Sequence, residues 1–135
     1  MEKKSIVIPI YIGKSDTLNG IRCLKAARDI KKDEIIEACP IILLPLTEFD
    51  SLDKTVLRNY EFEWDDENEA MVIGYGSLFN HSFQPNVFYT RDFKTKSMTF
   101  FAARDIKKDE ELFTNYNGNE EPFSPIDEEL VNFKY

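Results

Sequence analysis

The sequence predicts a mainly β domain with a minor helical share, and three observations carry that expectation. Apolar residues fall in short runs rich in β-branched and aromatic types, separated by turn-forming clusters, which is the pattern of strands. A segment, Ala26-Ala27-Arg28-Asp29-Ile30-Lys31-Lys32-Asp33-Glu34, recurs residue for residue at Ala102 to Glu110. Each copy reads as a strand end, a charged turn and the start of another strand, so one hairpin module is used twice; two copies are too few for a solenoid. Third, 42% of the 135 residues are apolar, with 11 Phe, 6 Tyr and 1 Trp, enough to bury a core without metal or disulfide staples. That length predicts a single domain over 1–135.

Ser5 to Ile12 is the first expected strand, followed by a turn at Gly13-Lys14-Ser15-Asp16. Arg22 to Ala27 is the second, and the charged turn Asp29 to Asp33 leads into a third from Glu34 to Leu43. Pro40 within that run lacks an N–H, which predicts an edge position or a bulge. Thr47 or Ser51 is placed to cap a short helix through about Arg58. Tyr60 to Trp64 and Ala70 to Ile73 form an expected hairpin around Asp65-Asp66-Glu67-Asn68. Val87 to Asp92 and Ser97 to Ala103 form another around Phe93-Lys94-Thr95-Lys96.

The formal net charge of −8 argues against nonspecific nucleic-acid binding and suits a cationic partner. No apolar run is long enough to span a bilayer, and Met1-Glu2-Lys3-Lys4 leads into a strand and not a signal core, so a cytoplasmic or nuclear protein with no membrane partner is expected. Cys23 and Cys39 are too few for a zinc cluster and are expected as half-buried thiols.

Chemistry concentrates in two segments. In Gly74 to Asn86, two glycines within three residues permit close backbone approach, and Asn80-His81-Ser82 and Pro85-Asn86 follow. His81 is the only histidine, which leaves no histidine-rich metal site, and a lone histidine is ordinarily structural. Ser82 beside His81 in sequence is not how a nucleophilic triad is built, because its partners come from separate elements. The second segment runs from Glu110 to Gly118, with Tyr116 before the turn signal Asn117-Gly118.

Together these segments resemble the two signature motifs of the SET domain. Asn80-His81-Ser82 with Pro85-Asn86 is similar to the first, and Glu111-Leu112-x-x-x-Tyr116 to the second. Both copies of Ala-Ala-Arg-Asp-Ile are similar to the family's turns, and Glu37 to Ile41 with Gly74 to Phe79 resembles its compact bacterial and viral members. The resemblance covers about residues 5–118, with 119–135 as a tail. It implies a β-clip of short sheets whose C-terminal motif threads under a loop as a pseudoknot, an arrangement rare in proteins. It also implies a protein-lysine methyltransferase that uses S-adenosyl-L-methionine on a lysine-containing basic protein or histone tail, with no metal; a homodimer and a catalytically silent interaction module are the variants of that expectation.

The resemblance carries roles to particular residues. Tyr116 matches the tyrosine whose hydroxyl lies near the methyl and the amine, and Tyr89 a second that lines the lysine channel. Asn80 and His81 match the pair that holds the cofactor, and the stretch Gly20 to Leu24, with Arg22, Cys23 and Leu24, matches the segment at its methionine end. The family's Gly-x-Gly there is Ile21-Arg22-Cys23, its tyrosine two residues before Tyr116 is Thr114, and its tyrosine early in the third strand gives way to Ala38-Cys39. Phe123, Phe133 and Tyr135 are the tail aromatics expected to cover the cofactor.

Overall fold

The computed structural model describes residues 7–118. The expected strand start at Ser5-Ile6 and the tail aromatics Phe123, Phe133 and Tyr135 lie outside that range. Among these described residues, nine strands form two sheets. The first sheet comprises β1 (Ile10–Lys14), β2 (Arg22–Ala26), β9 (Glu111–Thr114) and β6 (Asn80–His81), in the order β1-β2-β9-β6. The second has five strands in the order β4-β5-β3-β8-β7, with β3 (Ile35–Pro45), β4 (Glu61–Glu63), β5 (Asn68–Val72), β7 (Val87–Asp92) and β8 (Ser97–Ala102). One buried cluster joins the sheets, with Leu24, Ile30, Phe79, Met98, Phe100, Ile106 and Leu112 among its most enclosed members.

Both expected hairpins form. Asp65 Oδ1 accepts the Glu67 and Asn68 amides at 2.9 and 2.7 Å and closes β4 onto β5. Asp92 Oδ1 does the same for Lys94 and Thr95, both at 3.0 Å, between β7 and β8. Short carboxylate side chains that mimic a backbone turn account for both.

Three local expectations are corrected. β1 runs on through Gly13 and Lys14, so the turn begins only at Ser15. The single helix gives way to α1 (Phe49–Leu52) between 3-10 turns at Leu46–Glu48 and Val56–Asn59, the last capped by Thr55 instead of Thr47 or Ser51. Pro40 sits neither on an edge strand nor at the bulge, which falls between Ile35 and Glu37. Ile35–Pro40 pairs with β8, and Ile41–Pro45 pairs with β5. Pro40 stands where one partner hands over to the other, so its missing N–H costs no ladder bond.

The two repeat copies pair with each other. Ile30 and Ile106 exchange both backbone hydrogen bonds at 2.8 Å, and each side chain is 1% exposed. The Lys32 amide donates to Asp105 and the Lys108 amide to Asp29, both at 2.9 Å. Asp33 and Asp109 share a left-handed backbone, φ 69° and 70°. Identical sequence in identical conformation gives a local pseudo-twofold, and its second copy delivers the chain into β9.

Candidate active site

The site is built where β9 inserts between β2 and β6. β2 pairs antiparallel with β9, whereas β6 pairs parallel, Asn80 opposite Phe113 and His81 opposite Thr114. The parallel ladder joins segments more than thirty residues apart and extends through the Ser82 amide to the Thr114 carbonyl at 2.9 Å. The buried side chain of Asn86 secures β9 from the side: its Nδ2 donates to the Glu111 carbonyl and its Oδ1 accepts the Phe113 amide, both at 2.8 Å. Motif membership of Pro85-Asn86 does not by itself reveal this clamp, whose partners lie 25 and 27 residues away.

The glycine pair acts through space as expected. A Cβ on Gly76 would lie 2.3 Å from the Phe100 ring, and Gly74 has φ 136° beside Glu37 and Cys39. The Glu37 carboxylate accepts the Tyr75 amide at 2.9 Å and the Cys39 thiol at 3.0 Å. This seats the 3-10 turn Tyr75–Leu78 against the core and presents the Phe79 carbonyl to Tyr116.

Tyr116, His81 and Asn80 converge. The Tyr116 hydroxyl donates to the Phe79 carbonyl at 2.9 Å, and its backbone amide donates to His81 Nδ1 at 3.0 Å. The two rings lie 5.1 Å apart, and the Phe83 ring packs edge-on with the imidazole at 4.5 Å. An amide donor at Nδ1 assigns the neutral ring's proton to Nε2. Asn80 Nδ2 donates to the Arg22 carbonyl at 2.9 Å, tying β6 to β2. Burial lowers the His81 pKa and holds Tyr116 well above the ordinary tyrosine range, with the Tyr60 phenol adding to the latter. Tyr116 therefore stays a protonated phenol and is no general base; sequence reasoning had given Tyr60 no place near it.

Tyr89 comes to the same region from β7. Its ring packs edge-on against Phe62 at 5.4 Å and against Phe100 at 5.7 Å. A Cβ built on Gly118, two residues past Tyr116, would lie 3.2 Å from its hydroxyl oxygen. In β2, the Leu24 side chain is wholly within the core, so only its backbone is available to a ligand. Burial and the adjacent Glu111 carboxylate push the Cys23 thiol up to about 11, and the Cys39 thiol is pushed up to about 12, so neither is a nucleophile at neutral pH.

Six buried polar atoms around this junction lack a hydrogen-bond partner among the described residues: Arg22 Nε, Asn80 Oδ1, His81 Nε2, both Glu111 carboxylate oxygens and Thr114 Oγ1. Such groups ordinarily cost about 1–3 kcal/mol each, a cost that a bound polar small molecule would offset. A surface cavity of about 360 Å³, within the range of small-molecule sites, borders the same segment through Ser82 and Gln84 on one side and Glu111 and Phe113 on the other.

Residues 21–117 match the sequence model of the SET domain. A histone-lysine N-methyltransferase of Schizosaccharomyces pombe, named as specific for lysine 37 of H3, is 30% identical over 102 residues, 75% of this chain and 69% of the relative. A crystal structure from Plasmodium falciparum, named as a histone methyltransferase, superposes with a TM-score of 0.65 at 30% identity, covering 82% of this chain and 98% of the other. The SET8 protein of Cryptosporidium gives 0.64 at 30% identity, over 87% of this chain and 59% of its own. The chain belongs to the SET domain family. Its class within that family is protein-lysine N-methyltransferase.

Proposed function

We propose that this chain, as a single SET domain, transfers a methyl group from S-adenosyl-L-methionine to a lysine side chain of a basic protein, a histone being the substrate class its relatives suggest. One observation carries the reading: the protonated Tyr116 hydroxyl is held on the Phe79 carbonyl, beside the unpartnered His81 Nε2 and Asn80 Oδ1.

Asn80 Oδ1, His81 Nε2–H and Arg22 are the groups that would hold the cofactor, with the β2 backbone beside them and the tyrosine ring of Tyr116 at its reactive end. S-adenosyl-L-methionine, when bound, supplies a methyl group on a positively charged sulfonium. The acceptor must be a neutral amine, and neutralising lysine at pH 7 costs roughly 4–5 kcal/mol. The aromatic wall of Phe62, Tyr89 and Phe100 disfavours an ammonium by desolvation and offsets part of that cost. With Tyr116 and Tyr89 both protonated, their hydroxyls can position the amine and cannot take its proton. The remaining gain is alignment, which is sensitive to displacements of an ångström.

The test is transfer of tritiated methyl from S-adenosyl-L-methionine to core histones, with donor binding followed by calorimetry. Labelling of a lysine, lowered about a hundredfold in Tyr116→Phe, is the expected result. Folded protein that neither binds the donor nor labels any histone is instead a silent interaction module.

A further inference from the structure

The five-stranded sheet has a second face that the catalytic reading leaves unused. Along β8, Met98, Phe100 and Ala102 are buried, so the intervening positions project to the other side. There Phe101 stands opposite Ile35 on β3 and Phe88 on β7, an apolar row across three strands. Ile35, Phe88 and, further along β3, Ile42 are 62%, 38% and 55% exposed. Contiguous exposed apolar surface of this kind marks a binding face. Tyr89 projects to the opposite face, so this surface is separate from the catalytic one.

The charges on this face say what covers it. None of its strand positions carries Lys or Arg, and at the β4–β5 end three carboxylates share one corner. Glu63 stands directly opposite Glu69, and Glu61 opposite Met71. Like charges opposed across strands are destabilising, and burial together with Glu61 and Glu63 raises the Glu69 carboxyl to about 7. A second copy would bring another chain of net charge −8 onto this face. A cationic partner would relieve the repulsion. β3 has 11 residues, about 35 Å of strand, so the apolar row and the acidic corner lie at the two ends of one track.

We propose that this outer sheet face docks a basic protein segment, its apolar side chains along the Ile35–Phe101–Phe88 row and Ile42, and its lysines or arginines on Glu61, Glu63 and Glu69. The proposal rests on the substrate being a basic protein and adds an anchoring surface remote from the methylated lysine.

The experiment titrates purified H3–H4 histones into the labelled protein without methyl donor, comparing wild type, Ile42→Lys and Glu63→Lys. Both variants bind roughly fivefold more weakly or worse. On intact H3–H4 the KM rises by the same factor with kcat unchanged, while a short peptide around the methylated lysine reacts as with wild type. Should Ile42→Lys fail to fold, Glu63→Lys on the exposed edge strand carries the test. Equal binding by wild type and variants, or no binding by wild type, overturns the proposal. So does sedimentation showing a wild-type dimer that Ile42→Lys disperses, because the occupant is then a second copy. Weakened binding without any methyl transfer by wild type supports the surface and overturns only the enzymatic reading.

Discussion

Tyr116 is tied down at both ends, by its amide on His81 and its hydroxyl on Phe79. Removing the hydroxyl removes one hydrogen bond worth about 1 kcal/mol, too little to unfold the chain. It also frees the ring to shift by fractions of an ångström, so Tyr116→Phe is expected to lower kcat about a hundredfold with a nearly unchanged melting temperature, checked by single-turnover assay and thermal melting. His81 makes a separate prediction. Its native pKa is depressed by burial below the ordinary value near 6.5. The unfolded chain therefore takes up the proton first as pH falls. The stability from neutral His81 is complete above about pH 6.5 and is lost as pH falls toward its depressed native value. Glu69 acts with the opposite sign: with its carboxyl raised to about 7, its contribution is complete below about pH 4.5 and is lost as pH rises through 7. Urea midpoints of wild type and His81→Gln from pH 5 to 8 separate the two: the difference between them narrows toward acid, while Glu69→Gln is stabilising at pH 8 by about 1 kcal/mol after solvent screening.

Among elements, the paired repeat decides where β9 goes. Ile30 and Ile106 are buried against the same core and linked by two backbone bonds. Ile30→Ala and Ile106→Ala are each expected to cost about 3 kcal/mol. Because they share one bridge, the double variant should fall short of their sum. Ile106→Ala should also reduce activity more than Ile30→Ala, since its turn leads directly into β9 and Tyr116. Chemical denaturation and methyl-transfer rates on the four proteins check this. The repeat was legible in the sequence as two hairpin modules; that each closes on the other was not, because reciprocal contacts such as Lys32 to Asp105 span 73 residues. The hairpins were legible because Asp65 and Asp92 act within three residues of themselves. The helix expected through Arg58 failed because local capping signals compete over a few residues, and Thr55 captured the chain.

For the whole molecule, net charge −8 and an acidic sheet corner favour encounter with cationic partners. Such steering is screened at a Debye length of about 8–10 Å in 0.1–0.15 M salt. The expected outcome is a kcat/KM on intact histones that falls about tenfold or more from low to high salt, with kcat nearly constant. A flat salt profile would mean that charge plays no part in substrate capture.

Asn80-His81-Ser82 and Tyr116 were readable as motif residues because their identity and order along the chain are properties of sequence. So was the strand pattern. Their roles depend on where they meet. The parallel pairing of β6 with β9, the Asn86 clamp and the proximity of Tyr60 to Tyr116 join positions 25 or more residues apart. The handover at Pro40 depends on two different partner strands, and the apolar outer face on the register of all five. Short-range chemistry is written in neighbouring residues, whereas these contacts exist only once loop closure has been offset by burial of a common core.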